Sequence, residues 1–535
     1  MQASTRAIGG PTAIALGSGL LAGGLYLGAQ DKDAWKKRMV GIQRSSLFWS
    51  LTMPIYLHYR ATQWWVDGLS DEEQEAAYNP LHDQYAKSAL DIILRLKGFY
   101  VKIGQMAATR ADFLPHQYYD QVKTLQSEAP AEPFDYIRAL VEKSLKQPLE
   151  SVFSSFDEEP LGAASIGQVH HATLKDGTQA VVKVMFPNVE EMFRSDMKTM
   201  KDFCTLAQPE HLSMLTEVER QFLTEFDFTE EAKNLALVRA NMRIAWNKEV
   251  IVPEPFIATP EVLVMELVPG EKLVDALQAH FKAVAHHKGM TVDQLREEIA
   301  VREARGELTE GPSATEMSWY RSLIVTRAVV MNCVAVLYNA LWSPLTGQKR
   351  IERVETKLPF NTAHMIELLF RVHGHQIFVD GAFNGDPHPG NILLTPDGKL
   401  GLIDYGQVKH MTLPDRVKLA RLVVALAEDD KEAVVGAYTD MGFKTKRMDP
   451  DVAYRHAKCI FDTDHKDDLG GMNVQLYREE LQKIDPIEIM PDEYVMAARV
   501  AALLRGLGYA LKYKPSAAKM WEPQARALLK SQQQQ

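Results

Sequence analysis

The sequence predicts an α+β fold with two lobes, a small lobe rich in β-strands and a larger lobe that is mainly helical. Three observations lead to this prediction. A glycine-rich loop precedes the apolar strand Ala180–Val184, apolar residues recur at helical spacing around Phe222, and a short hairpin is expected between Asp386 and Asp404.

The segment from Asp386 to Asp404 has the most informative spacing in the chain. Asn391 follows Asp386 by five residues and precedes Asp404 by thirteen. A catalytic base, a metal-binding Asn and a metal-binding Asp have these positions in phosphoryl transfer, so the spacing indicates a protein-kinase-like active site. Each residue alone fits an ordinary turn, but the joint spacing favours the kinase interpretation. The turn Pro396–Gly398 predicts a hairpin that brings Asn391 and Asp404 to one end.

A phosphate-binding loop and a phosphate-binding lysine are predicted upstream. The pattern G-x-G-x-x-G-x-V is matched except that Ala replaces the second Gly, and the loop residues expected to contact a nucleotide are Gly162, Ala164, Ser165, Gly167 and Val169. Lys183 follows fourteen residues after Val169, where a kinase has its nucleotide-binding lysine. The alternative is an edge-strand lysine whose ammonium group stays in water.

Acidic residues follow in a stretch that we predict to be one helix, Phe222–Asn234. On such a helix Asp227 and Glu231 are neighbours, whereas Glu225 projects elsewhere, so the acids could engage two separate cations. One of these cations could be Lys183. The alternative is a solvated acidic face.

With these motifs the chain resembles the UbiB-type (ADCK-like) atypical protein-kinase-like family over about residues 85–520. Lys102–Gln105 matches the K-x-G-Q signature of that family. The resemblance implies an ion pair between Lys183 and Glu231, and it implies that Lys102 is held by Glu225 and Asp227. It also implies a regulatory role for Lys102 and Gln105, which would guard the site against peptide substrates. Met265 lies in the hinge-like stretch Leu263–Gly270.

Several positions depart from the family pattern. Asn384 and Gly385 stand where His and Ala are usual, and Tyr405 replaces the Phe of the metal motif. Ala164 adds a Cβ that should stiffen the phosphate loop. His388 stands where protein kinases commonly have Lys, so the charge near the transferred phosphoryl group would vary with protonation.

Composition is that of a globular enzyme. Hydrophobic residues make up 46% of 535 residues, which is ample for a core. The formal net charge of −10 gives no basic field for nucleic acid, so we expect no nucleic-acid partner. Three widely separated cysteines indicate reduced, buried thiols.

The N-terminus has an apolar, glycine-rich stretch, residues 8–27, that is just long enough to cross a bilayer. The flanking basic residues suit a cleaved targeting segment equally well, and the two readings stay open. Aromatic residues between Leu47 and Trp65 fit an interfacial segment or a buried helical hairpin.

These inferences predict four regions. They are a targeting segment or anchor (1–30), a helical extension with the K-x-G-Q motif (31–130), an N-terminal kinase-like lobe (131–270), and a C-terminal lobe (271–535) with an insertion near 280–375. We expect an enzyme that binds ATP and Mg²⁺, with Asp386, Lys183 and Glu231 as catalytic residues and Asn391 and Asp404 as metal ligands. By resemblance it would support lipid or quinone metabolism at the inner mitochondrial membrane, or alternatively in a plastid. The other reading is a nucleotide-regulated lipid-handling or scaffold pseudokinase without turnover.

Overall fold

A computed structural model describes residues 32–108, 115–126, 131–163, 166–207, 209, 212–304, 314–346, 349–354, 361–465, 467–472, 474–511 and 513–534. The chain divides into two compact units. The first unit consists of Met1–Glu230 and Pro255–Leu267, and the second of Glu231–Glu254 and Val268–Gln535. The N-terminal stretch expected to be an anchor or targeting segment lies outside the described residues.

The first unit begins with long helices. Its helices are α1 (Lys32–Val66), α2 (Asp71–Leu96), α3 (Phe99–Ala108), α4 (His116–Val122), α5 (Phe134–Leu145), α6 (Leu149–Val152), α7 (Val189–Ala207) and α8 (Leu212–Leu223). Ser70 starts α2 with a capping box, since its side chain accepts from the backbone of Glu73 while the Glu73 side chain accepts from the backbone of Ser70. Aromatic packing of Phe48 on Tyr100 joins α1 to α3, with ring centroids 5.6 Å apart.

The first unit also contains a six-stranded sheet. Its strands are β1 (Phe153–Phe156), β2 (Gly162–Ala163), β3 (Gly167–Leu174), β4 (Gln179–Met185), β6 (Pro255–Ala258) and β7 (Val262–Glu266), while β5 (Val250–Ile251) belongs to the second unit. The order is β1-β3-β4-β7-β6, with β2 paired to β3, and all these pairs are antiparallel. Ala180, Val182 and Val184 alternate along β4 and pack in a buried cluster with Ile137 and Val141 of α5. The opposite face of β4 therefore carries Lys183.

The second unit is mainly helical. Its helices are α9 (Phe228–Ala245, of which the first three residues belong to the first unit), α10 (Leu273–His287), α11 (Val292–Ala304), α12 (Ala314–Leu337), α13 (Ser343–Thr346), α14 (Thr362–His375), α15 (Leu413–Ala427), α16 (Lys431–Asp440), α17 (Pro450–Phe461), α18 (Val474–Ile484), α19 (Asp492–Ala510) and α20 (Ala517–Gln533). A π-helical turn continues α12 over Tyr338–Trp342, and another continues α14 over Gln376–Asp380. Trp521 is fully buried, and its indole N–H donates to the carbonyl of Phe370 at 2.9 Å, which fixes α20 on α14.

Short sheets hold the loops of the second unit. The strands are β8 (Glu271–Lys272), β9 (Ala382–Asn384), β10 (Ile392–Leu394), β11 (Leu400–Leu402), β12 (Val408–His410), β13 (Lys444–Thr445) and β14 (Ile487–Ile489). They form a four-stranded sheet in the order β5-β11-β10-β8 and two pairs, β12 with β9 and β13 with β14. The predicted hairpin is confirmed, because Ile392 lies opposite Leu402 and Leu394 opposite Leu400, with Gly398 at φ +85° in the turn.

The region predicted to contain an insertion, near 280–375, holds the end of α10 and the helices α11 to α14. Within the described part of the chain, one helix is long and apolar enough to cross a membrane by length and composition, and it covers Thr315–Trp342. Its most apolar window has a mean hydropathy of 1.6, and 11% of that window is buried.

Candidate functional site

One face of the first unit's sheet collects three of the residues predicted to bind a nucleotide, Val169, Lys183 and Met265. Val169 of β3 and Leu263 of β7 both lie opposite Lys183 of β4, and Met265 lies opposite Val181. Residues opposite one another on antiparallel strands point to the same side, so these side chains share a face with Lys183. Lys183 itself is half-buried.

Gly167 is required by the packing of the strands. A Cβ at this position would overlap the carbonyl oxygen of Val184 and lie 3.2 Å from the Cα of Met185. Gly162 pairs with Val169 at the other end of the loop. The two predicted loop residues Ala164 and Ser165 lie outside the described residues.

Lys183 lies over an aromatic ring. Its Nζ is 5.5 Å from the centroid of the buried Phe228 ring, a cation–π distance. Phe228 is the first residue of α9, directly after Asp227. The start of α9 therefore brings an aromatic ring to the Lys183 ammonium group.

The prediction of one continuous helix over Phe222–Asn234 is wrong. The helix ends at Leu223, a 3-10 turn covers Thr224–Phe226, and Asp227 is extended at φ −141° and ψ 100°. The Asp227 carboxylate accepts from the backbone N–H of Thr229 at 2.9 Å and from its hydroxyl at 2.6 Å. Asp227 thus caps α9 and is not stacked on Glu231 along one helix.

The other acidic residues are placed as follows. Glu225 lies in the 3-10 turn and is partly buried, and Glu231 lies on α9 with only 4% of its surface exposed. The backbones of Lys102 and Gln105 lie on α3, whereas their side chains are outside the described set. Gly104 on the same helix packs tightly, since a Cβ there would lie 2.5 Å from the Leu125 side chain.

Gln168 has a structural role that the motif did not reveal. Its amide is buried, accepts from the N–H of Glu132 at 2.8 Å and donates to His170 Nε2 at 2.8 Å. His170 Nδ1 lies 2.8 Å from the carbonyl of Asp157, so Nδ1 carries the proton and Nε2 accepts. Burial lowers the pKa of His170, which keeps the ring neutral and the chain of hydrogen bonds intact.

In the second unit, the hairpin places two metal-directed residues at one end. The N–H of Ile403, next to Asp404, donates to the carbonyl of Asn391 at 3.2 Å. The Asp404 carboxylate accepts from the N–H of Gly406 at 3.0 Å, which fixes the turn after it. Amide and carboxylate oxygens are hard ligands that suit Mg²⁺, which is commonly bound by one or two protein groups together with phosphate oxygens.

Asp386 is connected to the metal-directed turn through Asn384. The Asn384 side chain accepts from the N–H of Asp386 at 2.9 Å and donates to the carbonyl of Asp404 at 2.9 Å. Gly385 extends the connection, because its N–H donates to the carbonyl of Gln407 at 2.8 Å. One amide side chain therefore fixes the distance between the catalytic-loop Asp and the metal-motif Asp.

Sequence reasoning missed Arg499 of α19, which forms an ion pair with Asp386. Its guanidinium lies 3.2 Å from the Asp386 carboxylate and donates to the side chain of Gln407 at 3.2 Å. Both members of the ion pair are about one-third exposed. More than a hundred residues separate Arg499 from Asp386, and no local motif marks it.

A family model described as the ABC1 atypical kinase-like domain matches residues 124–301 and 345–438, about half of the chain, and these segments contain Lys183, Asp386 and Asp404. The chain belongs to the ABC1 family. The resemblance to UbiB/ADCK-type proteins is confirmed by this match and by the relatives that follow.

Relatives of the ABC1 family are similar along much of the chain. ACTIVITY OF BC1 COMPLEX KINASE 7, chloroplastic, of Arabidopsis thaliana is 25% identical over 513 residues, which cover 92% of this chain and 61% of that protein. AarF domain-containing kinase 1 of Drosophila melanogaster is 25% identical over 442 residues, covering 80% and 70%. The structure of Rv3197 with erythromycin from Mycobacterium tuberculosis covers 86% of this chain and 98% of its own at 18% identity, with a TM-score of 0.42.

Within the ABC1 domain, the departure at Tyr405 has its own hydrogen bonds. The Tyr405 ring is fully buried, and its hydroxyl accepts from the buried side chain of Gln376 at 3.3 Å. The oxygen of the same Gln376 amide accepts from the N–H of Asn384 at 3.1 Å, and Asn234 donates to the Tyr405 carbonyl at 3.1 Å. Burial raises the pKa of the Tyr405 phenol, so the hydroxyl stays protonated.

Local contacts also account for Gly385 and His388, which differ from the residues usual at these two positions. A Cβ on Gly385 would overlap the terminal methyl of Met496, so the Met side chain occupies the space of the usual Ala. His388 is exposed, and its Nδ1 accepts from the N–H of Gly390 at 3.1 Å at the start of the 3-10 turn Pro389–Asn391. This hydrogen bond requires that Nδ1 carry no proton.

Proposed function

We propose that this chain binds ATP with Mg²⁺ and catalyses phosphoryl transfer or ATP hydrolysis. The observation that carries the proposal is the second-unit geometry, in which Asn391 and Asp404 share one hairpin end while Asn384 ties Asp404 to Asp386. Membership of an atypical kinase-like family supports the reaction class.

Each residue has a role in this proposal. Lys183 contacts nucleotide phosphates and pairs with Glu231, Asn391 and Asp404 hold Mg²⁺, and Asp386 is the general base or orients the attacking water. Mg²⁺ supplies charge neutralisation at the transferred phosphoryl group. Lys102 and Gln105 restrict the acceptor, with Glu225 and Asp227 holding Lys102.

The substrate class and location are proposed from the family. We place the activity in lipid or quinone metabolism at an organelle membrane, as the UbiB-type resemblance implies. Four similar Arabidopsis proteins carry "chloroplastic" in their names, which favours the plastid over the mitochondrion as the setting.

The decisive variant is Asp404→Asn. The substitution keeps the oxygen that accepts from Gly406 and removes only the charge, so the fold should persist while stabilisation by Mg-ATP falls. Thermal-shift titration with Mg-ATP measures this. Asp397→Asn is the matched control, because Asp397 is exposed in the turn of the same hairpin. Equal Mg-ATP stabilisation of Asp404→Asn and wild type would show that Asp404 is not a metal ligand.

The second candidate is a nucleotide-regulated protein without turnover. The ion pair between Arg499 and Asp386 is the observation that favours it, since a paired carboxylate is less available as a base. Mg²⁺-dependent release of phosphate from ATP separates the two functions, because the second predicts nucleotide binding with no release beyond that of Asp386→Asn.

A further inference from the structure

An apolar segment of the second unit extends from Ala314 to Val354. It consists of α12, the π-helical turn Tyr338–Trp342, α13 and the extended residues 349–354. We name this segment the apolar hairpin. It is largely outside the family match, which stops at residue 301 and resumes at 345. Most of the apolar hairpin therefore lies outside the matched segments of the ABC1 domain.

The helix of the apolar hairpin exposes large apolar side chains on nearly every side. The side chains exposed by more than a third include Trp319, Leu323, Val325, Val329, Val330, Met331, Val334, Val336, Leu337, Leu341, Trp342 and Leu345. Positions such as Val329 and Val330, or Val336 and Leu337, are about 100° apart on a helix, so these residues do not form one narrow stripe. A helix that is apolar all round is typical of a lipid environment rather than of pairing with one other helix.

The chain then returns alongside the helix. Asn332 exchanges two hydrogen bonds with the backbone of Val354, at 2.8 and 3.2 Å, and Asn339 exchanges two with the backbone of Ile351, both at 2.8 Å. Seven helical residues rise about 10 Å, and three extended residues span about the same length, so the two asparagines match the returning segment in register.

This return decides how the hairpin can meet a membrane. Asn361, after the returning segment, donates to Ser318 at the start of the helix at 3.4 Å, so the chain leaves where it entered. A single crossing would put these two residues on opposite sides of a bilayer. An extended backbone exposed to hydrocarbon would also leave polar groups unsatisfied, which the bilayer core does not tolerate.

The tip of the apolar hairpin is apolar, and the residues behind it are basic. Leu341, Trp342 and Leu345 are 64%, 56% and 82% exposed. Lys349 and Arg350 follow directly, and both are exposed. The described residues between 314 and 354 include five basic residues (Arg321, Arg327, Lys349, Arg350 and Arg353) and two acidic residues (Glu316 and Glu352). Basic residues next to an apolar tip complement the phosphates of an anionic lipid surface.

We propose that the apolar hairpin docks this protein on an anionic lipid surface by inserting its tip into one leaflet. Leu341, Trp342 and Leu345 enter the acyl region, and Lys349 and Arg350 contact headgroup phosphates. The charged returning segment sets the limit of insertion, because its side chains lie beside Asn339 and Asn332 and are costly to bury in hydrocarbon. The inference is independent of phosphoryl transfer and of the N-terminal segment.

The test places an environment-sensitive fluorophore at the tip of the full-length chain. Leu345→Cys is labelled after Cys204→Ser and Cys333→Ser remove the accessible native thiols, since Cys459 is buried. With vesicles of equimolar phosphatidylglycerol and phosphatidylcholine, emission should shift to the blue, and a nitroxide on the lipid acyl chain should quench it. Vesicles of phosphatidylcholine alone should give a smaller shift. The same label at Leu476→Cys, an exposed leucine on α18, should not respond.

A loss-of-binding variant completes the test. Leu341→Asp with Trp342→Asp changes only exposed side chains, so the fold should persist, and the vesicle-dependent signal at position 345 should fall at least tenfold. The proposal is overturned if the protein floats with vesicles while the label at 345 stays unchanged. It is also overturned if the blue shift occurs without vesicles, whether it rises with protein concentration, as for a second copy, or disappears on deletion of residues 1–30, as for cover by the N-terminal segment.

Discussion

Asp386 has a partner that the catalytic-loop motif does not contain. The Arg499 guanidinium bonds both to the Asp386 carboxylate and to Gln407, whose carbonyl accepts from Gly385 beside Asp386. These contacts restrain the Asp386 side chain and the loop backbone together. We therefore expect Arg499 to position Asp386, the proposed catalytic residue, without itself taking part in proton transfer.

Arg499→Met should lower kcat for Mg-ATP turnover on the order of tenfold while leaving KM for ATP within about twofold, because a displaced base slows the chemical step more than binding. Arg499→Lys should recover part of kcat. Arg526→Met is the matched control, since it breaks an ion pair with Glu428 on a helix that carries no site residue. An increase in kcat would instead show that Arg499 holds Asp386 in an inhibited state.

The Tyr405 hydroxyl should contribute to stability although it departs from the family's Phe. Tyr405→Phe leaves the buried Gln376 amide N–H without its acceptor, so we expect a loss of about 1 kcal/mol in the free energy of unfolding. Urea unfolding measures this. Tyr454→Phe, which removes a hydroxyl bonded to the exposed Asp429, should cost less. Equal costs would mean that the buried hydrogen bond contributes nothing net.

At the scale of elements, the break before α9 gives Asp227 a second role besides the proposed contact with Lys102. The carboxylate caps the helix through both groups of Thr229, and Phe228 then places its ring under Lys183. Capping needs an acceptor oxygen, whereas holding a cation needs charge. These two requirements can be separated by substitution.

Asp227→Ala should destabilise the protein by about 1 kcal/mol through loss of the cap, whereas Asp227→Asn should cost less than half of that, because Asn keeps an acceptor. Chemical unfolding tests this part. In ATP turnover the two variants should be similarly impaired if the charge acts on Lys102. Wild-type turnover in Asp227→Asn would show that Asp227 acts as a cap alone.

Elements could be predicted from the sequence where the residues that determine them are adjacent in the chain. The hairpin between Asn391 and Asp404 was predicted because its turn residues and flanking apolar strands are adjacent in sequence. The break at Asp227 was missed because apolar residues continue at i, i+4 and i+8 through a 3-10 turn, so periodicity alone hides it. Arg499 and Gln376 were missed because their contacts with the site are long-range, and no spacing rule connects them to Asp386 or Tyr405.

At the scale of the whole molecule, the apolar hairpin lies mostly outside the family match and contains none of the sequence motifs. The matched segments leave out residues 302–344, where most of the apolar hairpin lies. The sequence predicted an insertion there but gave it no role, because a sequence alone does not tell whether an apolar helix is buried or exposed. Exposure of those residues, which only the structure provides, separates the two cases.

Buried histidines should make the stability of the whole protein depend on pH. His373 and His456 are almost fully buried, and burial lowers the pKa of each to about 4. The ring of His373 donates from Nδ1 to the carbonyl of Leu369 at 2.8 Å, which the neutral form already satisfies. In the unfolded chain a histidine has a pKa of about 6.5.

The sign follows from proton binding. Between pH 6.5 and 4 the unfolded chain binds protons at these histidines and the folded chain does not, so acidification favours unfolding. When the pH falls from 7 to 5, each of these two histidines should lower the free energy of unfolding by about 2 kcal/mol. Asp380 opposes this, because burial raises its pKa to about 6 and protonation then favours the folded state. The two histidines outweigh Asp380, so these three groups together should lower the free energy of unfolding as the pH falls.

His373→Gln should therefore reduce the loss of unfolding free energy between pH 7 and pH 5 by about 2 kcal/mol, whatever its effect on stability at pH 7. Urea unfolding at both pH values, followed by tryptophan fluorescence, gives the difference. The exposed His410 supplies the control, and His410→Gln should leave the difference unchanged. If His373→Gln has the same pH dependence as the wild type, the His373 imidazole takes up its proton in the folded protein as readily as in the unfolded chain, and its burial does not oppose protonation.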